Sequence, residues 1–264
     1  MLRKRVIPCL LLKGKGLVKT VKFKDPTYVG DPINAVKIFN DKEVDELLFL
    51  DITASVERRR PSFNVISEIA SECFMPLGYG GGIRSLEDIK TLFASGAEKA
   101  CINSCAVENP DFIKSASDAF GSQSIVVSID VKKTLFGKNV VYSHSGRRNT
   151  GLDPIEYAKR VQGMGAGEIF LNSIDRDGTM QGYDIELVSK VSEGVGIPVI
   201  ACGGAGKLKD IAEVLDKGGA SAAAAGSLFV FHGRHRAVLI NYPSKQELEG
   251  AFQQPVDSLG PQLN

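Results

Sequence analysis

The chain can be laid over itself. Shifted by roughly 120 residues, VDELLFLDITAS falls on GAGEIFLNSIDRDG with Asp51 over Asn172, and YGGGIRSLEDIKTLFASGAEKA falls on CGGAGKLKDIAEVLDKGGASAA with Gly80 over Gly203. Whatever supersecondary units the first half forms, the second half forms again, so the fold has to divide into two like parts. Within each half, short apolar runs alternate with amphipathic stretches. The runs VIPCLLL, ELLFLDI, MPLGYGG, KACINSC, SIVVSID, EIFLNSI, PVIACGG and SAAAAGS read as strands. Between them, segments such as DPINAVKIFNDKEV, SLEDIKTLFASGA, DPIEYAKRVQGMGA and KLKDIAEVLDKGGA place apolar residues three and four apart, with Asp, Ser or Pro near their starts. Eight strand-helix units in roughly 250 residues predict an α/β fold, a (β/α)8 barrel of two duplicated (β/α)4 halves. A doubly wound open sheet is the competing arrangement. The barrel reading takes 1–264 as one domain, with half-barrels of about 1–120 and 121–243 and a short helix and flexible tail over 244–264.

Composition narrows the function classes. The chain has 264 residues, of which 43% are hydrophobic and 24% charged, enough for one large core. A net charge of +1 points to neither a nucleic-acid nor a membrane partner. No apolar run reaches the ~18 residues of a spanning helix, and the basic N-terminus lacks a long apolar region with a cleavage site. Cys9, Cys73, Cys101, Cys105 and Cys202 form no C-x-x-C pair, which predicts reduced thiols in a cytoplasmic protein and no metal site. Nothing in the sequence calls for a cofactor.

The functional reading starts where the two halves disagree. Laying VIPCLLLK on IVVSIDVK sets Leu11 opposite Asp130. In barrels of this kind the C-terminal strand ends carry the chemistry, and carboxylates on opposite sides of one cavity act as general acid and general base. Here only one of the pair exists. The turns Gly80-Gly81-Gly82 and Gly203-Gly204-Ala205-Gly206 each lie between a strand and a helix, where glycine lets backbone N–H groups approach a phosphate. Ile102-Asn103-Ser104 and Ala225-Gly226-Ser227 would complete one phosphate pocket per half.

The motifs KRVIPCL, VDELLFLDITASVE, YGGGI, INSCAVENP, FGSQSIVVSID, SGRRNTG, SIDRDGT-x-x-GYD and CGGAGK closely resemble the cyclase subunit of imidazole glycerol phosphate synthase, over nearly the whole chain. The resemblance implies a glutaminase subunit docked on the N-terminal barrel face and ammonia passing through the barrel. It also implies two aspartates that cleave and cyclise a bis-phosphorylated aminoimidazole-carboxamide ribonucleotide. By matching position one of them is Asp130, and the other falls on Leu11. The ammonia gate corresponds to Arg5, Glu46, Lys99 and Glu168. The phosphate positions correspond to Gly82, Asn103 and Ser104 in one half, to Asp177, Gly178, Gly204 and Ser227 in the other, and to Lys19 on the first loop.

Departures from the family's pattern, CLLLKGKGLVKT, Asn172 before SIDRDG, and the ending AAGSLFVFHGRHRAVLINYP, resemble a divergent branch associated with acetamidino-sugar formation in surface-polysaccharide synthesis. That branch implies a downstream sugar amidotransferase as a further partner. A working histidine-pathway cyclase with a replacement acid, and a phosphometabolite-binding subunit that switches on its glutaminase, stay open as alternatives. Asp51 and Asp175 are the other strand-end carboxylates, expected to bind substrate hydroxyls or hold loops. The lysines of KGKGLVKTVKFK are expected in a mobile loop over a phosphate, His144 in an anion-contacting or solvated loop, and His232 and His235 on a helix surface or near a phosphate.

Overall fold

The structure, a computed structural model, describes residues 4–253. Eight parallel strands run in chain order around a closed barrel: Arg5–Lys13, Leu47–Asp51, Leu77–Gly80, Lys99–Ile102, Ile125–Lys133, Glu168–Ser173, Val199–Cys202 and Ala222–Ala225. Each pairs with the next, and the eighth closes on the first with Arg5 beside Ala222 and Pro8 beside Ala225. The open-sheet alternative is thereby excluded.

Alternation along the strands produces two cores. On the first strand Val6, Leu10 and Leu12 face the helices, where they join Phe39, Leu47 and Phe49 in the larger apolar cluster. Ile7 and Cys9 point into the lumen with Leu48, Cys101, Val126, Phe170, Ile200, Cys202, Ala222 and Ala224. This is the side-chain period of two, wrapped round a barrel axis.

The duplication is visible in how the helices begin. Asp31 and Asp153 cap helices Pro32–Asp41 and Pro154–Gly163, each accepting from two backbone N–H groups and each followed by proline at the first helical position. Before helices Leu86–Ala94 and Leu208–Asp216, the third-position carboxylates reach back in the same way. Asp88 accepts from the N–H groups of Arg84 and Ser85, and Asp210 from those of Gly206 and Lys207.

Two expectations are corrected. KGKGLVKTVKFK, expected in a mobile loop, is a paired hairpin: Gly16–Val21 runs antiparallel to the first strand and to Lys24–Gly30. Its segment LVKT buries Leu17 and Val18, and Lys19 and Thr20 as well. The matching place in the second half holds Asn139–Ser143, antiparallel to the fifth strand. His232 and His235 are not on a helix: after the four-residue helix Ser227–Val230 the chain forms a small exposed hairpin, Phe231–His232 against Ala237–Val238. The last helix among the described residues is Lys245–Gln253, and the expected tail lies outside them. No helix among those residues is long and apolar enough to cross a membrane.

Candidate functional site

At the N-terminal end of the lumen four charges form a ring. Arg5 donates to Glu46 at 2.7 Å and to Glu168 at 2.5 Å, and Lys99 donates to the same two carboxylates at 2.9 Å each. Each acid thus holds both bases. Burial by itself would lower the proton affinity of Arg5, but Glu168 and Glu46 outweigh it and hold the guanidinium pKa raised. The four positions singled out in the sequence come from the first, second, fourth and sixth strands or their immediate starts, and the fold brings all four together.

Above the ring the lumen is apolar and thiol-lined. Burial raises the Cys101 thiol well above its usual range, and hydrogen bonding with Cys9 together with burial does the same to Cys202. The wall at this level therefore carries no charge at neutral pH.

At the C-terminal end the lumen opens into a cavity of about 560 Å³. Asp130 and Leu11 both line it. Asp130 is 8% exposed; burial pushes its carboxyl up to about 7, against a hydrogen bond from Ser128 Oγ at 3.3 Å and with the charge of Asp177 adding to the rise. The other strand-end carboxylates divide their duties. Asp51 is committed to structure: it accepts from the N–H groups of Thr53 and Ala54 and from the Arg59 guanidinium at 2.7 Å. Asp175 accepts from the Lys133 N–H. Asp177 is held by Thr20 Oγ1 at 3.0 Å, and burial raises its pKa although Lys19 opposes the rise. Asp177 is thus the second carboxyl in the electrostatic neighbourhood of Asp130.

The glycine turns make close backbone approaches. Gly82 has φ +76°, and a Cβ there would meet the Arg59 carbonyl at 2.6 Å; Gly178 has φ +70°, and a Cβ would meet the Thr20 carbonyl at 2.1 Å. At Gly204 the same test meets the Gly182 carbonyl at 2.2 Å. Asn103 anchors its turn by donating Nδ2 to the carbonyls of Ser128 and Tyr142, while Ser104 Oγ accepts the His144 N–H at 3.0 Å. Ser227 is buried at the start of its short helix, and Lys19 Nζ donates to the Cys9 carbonyl at 3.4 Å. Gly82, Asn103, Ser104, Asp177, Gly178, Gly204, Ser227 and Lys19 all line the one cavity, with His144. His232 and His235 are not among its lining residues. Asn172 also lines it, although the sequence marked that position only as a departure from a pattern; its significance depends on neighbours that no local signal reveals.

The site thus belongs to a duplicated (β/α)8 barrel with a charged ring at one end of its lumen and, at the other, a glycine-walled cavity lined by the buried Asp130 carboxyl. A family profile described as "Histidine biosynthesis protein" matches residues 5–236. A protein of Pseudomonas aeruginosa named "Putative imidazole glycerol phosphate synthase subunit hisF2" is 54% identical over 249 residues, covering 94% of this chain and 99% of its own. One of Vibrio vulnificus with the corresponding hisF3 name is 51% identical, covering 96% and 98%, and the "Imidazole glycerol phosphate synthase subunit HisF" of Alkaliphilus metalliredigens is 47% identical, covering 88% and 92%. The chain belongs to the histidine biosynthesis protein family, among its HisF-like imidazole glycerol phosphate synthase subunits.

Proposed function

We propose that this barrel is the cyclase-like subunit of a glutamine amidotransferase complex, which takes ammonia from a partner glutaminase and conducts it through the barrel. In this reading its own cyclase chemistry is impaired, and the nitrogen serves acetamidino-sugar formation in surface-polysaccharide synthesis. One observation carries the reading: the ring of Arg5, Glu46, Lys99 and Glu168 is closed and fully paired, while Leu11 stands in the cavity where a second carboxyl would face Asp130. Leucine neither donates nor accepts a proton, and loss of a positioned acid or base costs ~10²- to 10⁴-fold in rate. The glutaminase docks on the N-terminal face, where the ring lies. Asp130 is the catalytic position that remains, and the two glycine-walled pockets hold a phosphorylated ligand, with Lys19 supplying a cation at one of them. A sugar amidotransferase is the acceptor at the C-terminal face.

The test is a cyclase assay on the purified chain with the bis-phosphorylated ribonucleotide and free ammonium at alkaline pH. No turnover is expected, with partial recovery in Leu11→Asp. Turnover at an ordinary enzymatic rate overturns the reading. A second reading has one specific support, the buried Asp177 carboxyl close enough to raise the pKa of Asp130. If Asp177 replaces the missing acid, the wild type turns over and Asp177→Asn abolishes it.

A further inference from the structure

The turn between the fifth barrel strand and the strand that returns beside it carries an exposed apolar pair. Leu135 and Phe136 stand wholly in water, the two most exposed large apolar side chains among the described residues. Single exposed apolar residues are ordinary. Turns, however, are normally built from small and polar residues, and two such side chains adjacent at a tip burden solubility without serving the fold. The turn holds them in place. The Gly137 N–H donates to the Thr134 carbonyl at 2.9 Å, the Thr134 N–H to the Lys138 carbonyl at 2.8 Å, and the Lys138 N–H to Thr134 Oγ1 at 3.2 Å.

The first half of the barrel supplies the comparison. Its equivalent hairpin also has a phenylalanine at the turn, Phe23, but that ring is turned onto the barrel. It lines the cavity and packs so closely on Gly146 that a Cβ there would lie 2.9 Å from it, and the neighbouring Lys22 N–H is held by the Asp177 carbonyl. Phe136 has no such seat. One device, used twice, closes inward in the first half and stands outward in the second.

Charge defines what covers it. From Val131 to Leu152 the chain has no aspartate or glutamate, against Lys132, Lys133, Lys138, Arg147 and Arg148. Lys133 lies 3.8 Å from Asp184 and Arg148 3.0 Å from Glu108, whereas Lys138 and Arg147 are exposed and make no ion pair among the described residues. Arg147 also lines the cavity, so the cationic strip runs from its mouth to the tip. The complement is an apolar socket edged by carboxylates. A protein offers this better than a lipid surface does: two side chains at one point fill a pocket, as interface anchors do, whereas lying on a membrane takes a contiguous apolar face, which the turn lacks.

We propose that Leu135 and Phe136, flanked by Lys138 and Arg147, are the anchor by which the C-terminal face docks an acidic protein partner. The anchor rests on the reading above only for the partner's identity, which is then the amidotransferase that receives the nitrogen.

The probe is that sugar amidotransferase from the same organism, titrated by surface plasmon resonance against the complex of the barrel with its glutaminase. Wild type is expected to bind with an affinity that falls as salt is raised, and Leu135→Ser/Phe136→Ser to bind on the order of 10²-fold more weakly, the loss of two anchors. Lys138→Glu is expected to slow association and leave dissociation nearly unchanged. Because both apolar side chains lie in solvent, the double variant is expected to keep the wild-type melting temperature and glutaminase stimulation, which separates lost docking from lost folding. Equal affinity of wild type and double variant, or binding by neither, overturns the anchor. So does tip-dependent co-sedimentation with phosphatidylglycerol vesicles, or tip-dependent dimerisation of the barrel, in place of binding to the amidotransferase. The nitrogen route is read separately, with amide-¹⁵N-glutamine. Tip-dependent docking without label in the sugar leaves the anchor standing and overturns the route. Label in the sugar, with affinity unchanged in the double variant, overturns the anchor and leaves the route standing.

Discussion

Asp130 makes the native state hold a proton that the unfolded chain releases. Its carboxyl is raised to about 7 chiefly by burial, so between about pH 4 and pH 7 the folded protein binds more protons than the unfolded one and stability falls as pH rises. The penalty is absent below the unfolded value and complete above the folded one. Asp130→Asn removes it: the variant is expected to match wild type in thermal denaturation near pH 4 and to be the more stable at pH 8, by at most on the order of 4 kcal/mol. Gly178→Ala tests the close approach at the second glycine turn. With φ +70° and a backbone carbonyl in the way, it is expected to lose about 2 kcal/mol or more in urea denaturation, whereas Gly14→Ala, also at positive φ but in open space, is expected to lose about 1 kcal/mol. At this scale the sequence was informative where two halves could be compared: Leu11 against Asp130 needed only alignment. Asn172 and the electrostatic role of Asp177 were not legible, because a cross-strand neighbour and a shared field exist only once strands 40 or so residues apart lie side by side.

The elements show the same division. The eight strands were readable because each is a short apolar run closed by glycine or a polar turn, and the helices because aspartate, serine and proline mark their starts. The hairpin Gly16–Lys24 region was hidden by its lysines. Its strand character comes from burial against the first strand, and its anchorage comes from afar: the Lys22 N–H donates to the Asp177 carbonyl at 2.9 Å, and Thr20 Oγ1 to the Asp177 carboxyl. Thr20→Val keeps the shape but deletes that side-chain bond. Amide hydrogen exchange in residues 16–30 is expected to speed up several-fold in the variant, with the barrel strands unchanged; uniform protection in both proteins would show that the bond does not hold the hairpin.

Across the whole molecule, the ring ties together strands that are far apart in the chain and not all neighbours in the sheet. Glu46 is 4% exposed and accepts from both bases, so Glu46→Gln leaves Arg5 and Lys99 sharing one acid. After allowing for the partial exposure of the bases, a loss of about 2 kcal/mol is expected in denaturant titration. Replacing Asp118 in the exposed Lys114–Asp118 pair is expected to change stability by less than about 0.5 kcal/mol. The ring also has an electrical consequence. Two cations and two anions cancel, and the wall above them is neutral thiol and hydrocarbon, so the lower end of the barrel acts as an insulating seal. An ion entering from beneath would have to give up its water for hydrocarbon and thiol with no net charge to compensate it, whereas a small neutral molecule gives up far less, so the lower end of the barrel discriminates by charge.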